Sequence, residues 1–205
     1  LVTLMQADIR HILIICTPHD LPLFYALLGD GSHWGLKLQY AEQASPKGLA
    51  EALIIAEPFL AGDACALILG DNLFYGQHLT VNLQHAWQGQ SGATVFGYHV
   101  SNPNAYGVVE FDDTGKVLSI EEKPLQPRSR YAMPGLYFFD GRAATFAKTV
   151  LPSARGELEI VDVITRYLAL GELRVDILGR GTAWLDTGTH ESLLEASAYI
   201  ETLEK

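Results

Sequence analysis

Residues 64–76 read ACALILGDNLFYG, and the first half of that stretch decides the fold class. Residues 64–70 form an apolar run without polar alternation, the pattern of a strand buried on both faces of a parallel sheet. Asp71 follows Gly70 directly, so an acidic side chain stands at the carboxyl tip of that strand. Open α/β sheets place their ligands outside such tips. A carboxylate there can hold a divalent cation while it stays in contact with solvent. A turn or helix-cap aspartate is the competing reading, and the neighbours Gly70, Asn72 and Gly76 favour the ligand site.

Working outward, residues 9–16 (IRHILIIC) make a second buried strand, ended by Thr17-Pro18-His19-Asp20. Helical spacing then holds over residues 21–28 until Gly29-Asp30-Gly31 stops it. Residues 38–40 read as a strand, 42–47 as a polar loop and 48–58 as a helix. Downstream, the pattern predicts helices over 79–88, 142–149, 157–168 and 191–203. It predicts strands over 93–100, 107–111, 117–122, 136–139 and 173–178, with Asp113-Thr114-Gly115 as a hairpin turn. Strands alternating with helices imply an α/β architecture with a mostly parallel sheet. The central hairpin implies an antiparallel extension. No repeat, low-complexity tract or linker interrupts the chain, so residues 1–205 read as a single domain.

Composition narrows the function classes. With 48% apolar and 19% charged residues among 205, the chain is globular. Fourteen basic residues against 24 acidic ones give a formal net charge of −10, which argues against a nucleic-acid partner. An anionic small ligand would be met by local cations and a metal ion. Cys16 and Cys65 sit inside apolar runs and read as buried thiols, and no Cys/His spacing suggests zinc. No apolar stretch approaches the ~18 residues of a membrane span, and no cationic leader is visible. The expectation is a cytoplasmic protein that does not contact a membrane.

Four more constellations carry chemistry. Asp186, in residues 179–196 (GRGTAWLDTGTHESLLEA), precedes the turn Thr187-Gly188-Thr189, where Thr189 can cap the last long helix. Two carboxylates from distant positions, Asp71 and Asp186, suit magnesium and a triphosphate. Lys123 in EEKP (121–124) stands at a strand end beside two glutamates, offering ammonium to a phosphate and carboxylate to sugar hydroxyls. A solvated charge cluster is the bland reading of that run. Arg155 in PSARGELEI suits a phosphate bidentately, while the glutamates after it also read as the first turn of a helix. In EQASPKGLAEA (42–52), Gly48 permits close backbone approach, and Gln43 has a donor and an acceptor for a pyrimidine edge.

In this order, the strings QASPKGLAEA, LILGDNLFYG, YGVVEF, EEKP, PGLYFFD, PSARGELEI and GTAWLDTGTHESLLEAS closely resemble the glucose-1-phosphate thymidylyltransferases. These are sugar nucleotidyltransferases on a Rossmann-like sheet, and the resemblance runs from about residue 1 to 205. It implies that Gln43 and Gly48 contact the thymine base, with Leu49 packing nearby, and that Asp71 and Asp186 ligate Mg²⁺. It implies further that Gly107, Glu122, Met133 and Tyr137 line the glucose pocket, and that Lys123 and Arg155 hold the sugar phosphate. Met133 stands where the family usually has a smaller apolar residue, and Pro134 where it has a Thr.

The family opens with a strand and a glycine-rich GxGTRL-type loop that wraps the triphosphate, followed by a Lys. This sequence begins past them, at Leu1, and its last residue, Lys205, precedes the family's C-terminal helices. The expectation is therefore impaired turnover and marginal stability. The reaction implied is in-line attack by glucose 1-phosphate on the α-phosphorus of dTTP, giving dTDP-glucose and pyrophosphate, most often for dTDP-rhamnose synthesis. The family commonly forms homo-oligomers. Two other functions fit the residues: a non-catalytic sugar-phosphate-binding module or inactive fragment, and a nucleotidyltransferase that uses UTP. Uracil lacks only one methyl, worth ~1 kcal/mol of discrimination.

Overall fold

The computed structural model describes residues 1–88 and 91–205. The chain opens with the short helix α1 (Val2–Gln6), strand β1 (His11–Cys16), helix α2 (Leu21–Leu28), strand β2 (Lys37–Glu42) and helix α3 (Leu49–Leu60). Next come β3 (Cys65–Ile68), β4 (Asn72–Gly76), α4 (Leu79–Gln88), β5 (Ala93–His99), β6 (Gly107–Phe111), β7 (Val117–Glu122), β8 (Tyr131–Met133) and β9 (Leu136–Phe139). Two helices, α5 (Ala143–Ala147) and α6 (Ile160–Leu170), precede β10 (Leu173–Ile177), β11 (Thr182–Asp186) and the last helix, α7 (His190–Glu204). Two compact units result: Leu1–Cys65 with Gln90–Ala93 and Phe139–Leu173, and Ala66–Gly89 with Thr94–Phe138 and Arg174–Lys205.

In the first unit β1 and β2 pair in parallel from His11↔Lys37 to Cys16↔Glu42. Parallel strands need a crossover, and α2 supplies it. Pro22 fits the first turn of α2, and Gly29, at φ +56°, stops the helix. α3 packs on α5 and α6. Alanines dominate the buried faces of α3 and α5 (Ala50, Ala52, Ala56, Ala143, Ala144, Ala147), while α6 contributes Ile160, Val163, Ile164 and Tyr167. Asp140 knits this unit together. Its carboxylate accepts from the Gly92 N–H at 3.0 Å, from the Tyr167 hydroxyl at 2.8 Å and from the Arg142 guanidinium, which also reaches Glu172.

The second unit carries the larger sheet, with strands in the order β3-β9-β5-β8-β6-β7 and β10 paired to β5. Its pairs β5/β8, β6/β7 and β6/β8 are antiparallel. The expected hairpin turn is present: Asp112 Oδ1 accepts from the Thr114 N–H and the Lys116 N–H, and Gly115 sits at φ +85°. Phe96, Phe138, Leu136, Val95 and Val109 form the buried core, with Leu79 and Leu83 of α4 equally buried. A separate antiparallel pair, β4/β11, joins Asn72 to Asp186.

The α/β class is as the sequence implies, with β1/β2 parallel and the β5/β8, β6/β7, β6/β8 and β4/β11 pairs antiparallel. Strands β4, β8 and β11 and helix α1 are additions to the sequence reading. Cys65 is buried as expected, and burial pushes its thiol up to about 12. Cys16 is only half-buried. No helix among the described residues is long and apolar enough to cross a membrane.

Candidate functional site

The β4/β11 pairing sets Asp186 opposite Asn72, which brings the chain-distant Asp71 beside the end of β11. Thr187 locks that arrangement: its N–H and its hydroxyl both donate to the Asp71 carbonyl, each at 2.8 Å. The Gly188 N–H donates to Asp186 Oδ1 at 3.0 Å. A Cβ on Gly188 would stand 3.2 Å from Asp186 Oδ1 and 3.4 Å from Asp71 Oδ2. The two carboxylates thus flank one point, and glycine keeps it clear. Asp71 is exposed and Asp186 half-buried. Two hard oxygen donors with an open side fit magnesium, which commonly takes one or two carboxylates and completes its shell with water and substrate phosphates. No group of three or more His, Cys, Asp or Glu among the described residues forms an all-protein metal cage.

Asn72 lies beneath this pair, 6% exposed. Its Oδ1 accepts from the Trp184 indole N–H at 2.7 Å and the Gly135 N–H at 2.9 Å, while its Nδ2 donates to Asp71 Oδ1 at 2.8 Å. Trp184 packs edge-on against Tyr106, with ring centroids 4.9 Å apart. Burial, and then the Asp186 carboxylate, raise the Tyr106 hydroxyl pKa.

Next to these residues the sheet lines up three of the expected sugar positions. Gly107 on β6 is the register partner of Glu122 on β7 and of Met133 on β8. Tyr137 on β9 is buried, and its hydroxyl pKa is pushed up by burial first, then by the Glu122 and Asp71 carboxylates. Glu122, Tyr137 and Asp71 therefore share one electrostatic neighbourhood. Lys123 follows at φ +42°, its N–H donating to the Tyr106 carbonyl at 3.0 Å and its Nζ 4.0 Å from Glu122 Oε1. A lysine at this positive φ is strained.

The remaining expected residues lie in the first unit. Gln43 Nε2 donates to Glu51 Oε2 at 2.7 Å and leans on the Gly48 carbonyl at 3.4 Å. Gly48 caps α3 at φ +104°, and a Cβ there would come within 2.4 Å of the Leu158 carbonyl oxygen. Leu49 opens the helix. Arg155 sits on a separate loop, donating to Glu157 Oε2 at 2.8 Å, with Nη1 3.7 Å from Glu159 Oε1. Sequence reasoning did not assign roles to Asn72, Tyr106, Trp184, Thr187 or Gly188. Their letters flank the motifs, but no spacing rule says which way an asparagine amide faces.

The family model described as nucleotidyl transferase matches residues 1–202 of this chain. Glucose-1-phosphate thymidylyltransferase of Xanthomonas campestris pv. campestris (strain B100) is 56% identical over 201 residues, 98% of this chain and 68% of that protein. The Neisseria gonorrhoeae glucose-1-phosphate thymidylyltransferase is 57% identical over 201 residues, 98% of this chain and 70% of the relative. A Bacillus anthracis crystal structure in complex with a sucrose superposes with TM-score 0.86 at 36% identity. That match covers 96% of this chain and 78% of the other. The chain belongs to the glucose-1-phosphate thymidylyltransferase family of nucleotidyl transferases.

Proposed function

We propose that this protein transfers a thymidylyl group from dTTP to glucose 1-phosphate, releasing pyrophosphate and leaving dTDP-glucose. The observation that carries the reading is the convergence of Asp71 and Asp186 over Gly188, beside the Gly107–Glu122–Met133 row. A phosphate oxygen of glucose 1-phosphate attacks the α-phosphorus in line, and the bond to pyrophosphate breaks. Such a reaction asks for positioning and for cations near the developing charge. Magnesium held by Asp71 and Asp186 would supply charge neutralisation on the phosphate oxygens.

The chain's own groups divide the remaining work. In the second unit, the Glu122 carboxylate accepts hydrogen bonds from sugar hydroxyls, and the Lys123 ammonium faces the sugar phosphate. Gly107 leaves room for the ring, while Met133 and Tyr137 supply the buried floor. In the first unit, Arg155 offers its guanidinium to phosphate. Both Gln43 amide hydrogens point to Glu51 and Gly48, which orients Oε1 as an acceptor for a pyrimidine N3–H. Gly48 and Leu49 approach the same base. The working form is a homo-oligomer.

Pyrophosphate release with Mg²⁺, dTTP and glucose 1-phosphate tests the reading, with Asp71→Asn as the comparison. The expected outcome is release that falls ~10²-fold or more in the variant. Release unchanged by Asp71→Asn would overturn the metal assignment. Release that prefers UTP to dTTP would replace the thymidylyl donor with a uridylyl one.

A further inference from the structure

We propose that Asn72 is the positioning residue of the Asp71 carboxylate, presenting Oδ2 to the cation by holding Oδ1. The inference rests on the metal reading above and extends it by one residue. The Asn72 amide cannot be turned over: its Oδ1 already receives two donors, Trp184 Nε1 at 2.7 Å and the Gly135 N–H at 2.9 Å. With the oxygen so fixed, the NH₂ end faces Asp71, and it donates to Oδ1 at 2.8 Å. Oδ2 is the atom that lies toward Gly188 and Asp186. The anchoring partners come from distant parts of the unit, Gly135 before β9 and Trp184 in the middle of β11. Asp71 is thus braced against the same two strands that carry Tyr137 and Asp186.

An exposed carboxylate on a loop would otherwise sample several rotamers, and holding it in one reduces the cost of binding a cation. The arrangement also uses Asn72 fully. It is buried and its polar atoms are engaged, so replacing it leaves Gly135 N–H and Trp184 Nε1–H short of an acceptor. Trp184→Phe is the milder intervention: it removes one anchor, keeps an aromatic ring and leaves no unsatisfied donor.

The test is direct binding of Mn²⁺ to the protein, followed by electron paramagnetic resonance, with the melting temperature recorded for each variant. Asn72→Ala is expected to weaken Mn²⁺ binding ~10-fold, and Trp184→Phe to weaken it in the same direction by less. Trp184→Phe should melt within a few degrees of the unmodified protein. A purely structural role would move the melting temperature and leave Mn²⁺ affinity alone. If Asn72→Ala does not fold, Trp184→Phe carries the test. Mn²⁺ binding that Asp71→Asn abolishes but that folded Asn72→Ala or Trp184→Phe leaves unchanged would overturn the positioning role only. Binding that survives Asp71→Asn would overturn the metal reading, and the positioning role with it.

Discussion

At the scale of single residues, backbone conformation makes the sharpest demands. Lys123 holds φ +42° in front of a proline, a conformation that costs a non-glycine residue roughly 1–2 kcal/mol. Lys123→Gly should therefore be more stable than Lys123→Ala by about 1 kcal/mol in urea unfolding, since both lack the ammonium and only glycine relieves the strain. Equal stabilities would mean that Lys123 is not strained. Gly48 poses the opposite case, because a side chain at φ +104° would press on the Leu158 backbone, which hydrogen-bonds to Lys47 and Ala50. Gly48→Ala is expected to lose about 2 kcal/mol or more, read as a lowered urea midpoint. Sequence reasoning placed Gly48 correctly as a site of close backbone approach. The backbone that approaches it within this unit is that of Leu158. Asp71 and Asp186 were legible because a strand tip and a turn each leave a plain mark. The amide that braces Asp71 was not, because its orientation depends on donors from two other segments.

At the scale of elements, α7 shows what local chemistry can announce. Thr189 accepts from the Ser192 N–H, and the Ser192 hydroxyl is within reach of the Thr189 N–H, a complete capping box. The cap was readable from the sequence, since Thr189 precedes a helical run. Thr189→Ala is expected to cost about 1 kcal/mol of stability by thermal or urea unfolding, and a loss below a few tenths would deny the box any weight. The strands β4 and β11 behave differently. Each is five residues long, and neither has a clear alternation of apolar and polar residues. They exist as strands because they pair with one another over Asn72–Gly76 and Thr182–Asp186. Close approach at Gly76, where a Cβ would stand 2.7 Å from the Gly181 carbonyl oxygen, permits that pairing. A single-segment reading has no access to such a partner, which is why the site's central pair of strands escaped it. Helices α2 and α4, whose signals are local, were found with their ends in place.

At the scale of the whole molecule, stability in acid follows from Asp140. Burial alone would raise its carboxyl, but the Arg142 guanidinium, the Tyr167 hydroxyl and the Arg142 and Gly92 N–H groups outweigh burial and hold it at about 2. An aspartate in the unfolded chain titrates near ~3.9. A depressed folded value means the network stabilises fully above that point, loses its effect as pH falls, and contributes nothing below about 2. With solvent screening at the partly exposed Arg142, the contribution is about 1–2 kcal/mol. Asp140→Asn should therefore lower the melting temperature at pH 7 and flatten its decline between pH 4 and pH 2 relative to the unmodified protein. Parallel declines in the two proteins would locate the acid sensitivity elsewhere. By itself the sequence determined the α/β class, the family and Asp71 and Asp186 as the candidate carboxylate pair. Those rest on hydrophobic runs, turn residues and local motifs, which are carried by neighbours along the chain. Only the tertiary structure decided that Asp71 and Asp186 meet over Gly188, that Gly107, Glu122 and Met133 form one row, and that Asn72 braces Asp71. Strand register and hydrogen-bond partners are set between segments far apart in sequence, where each donor must find its acceptor in space.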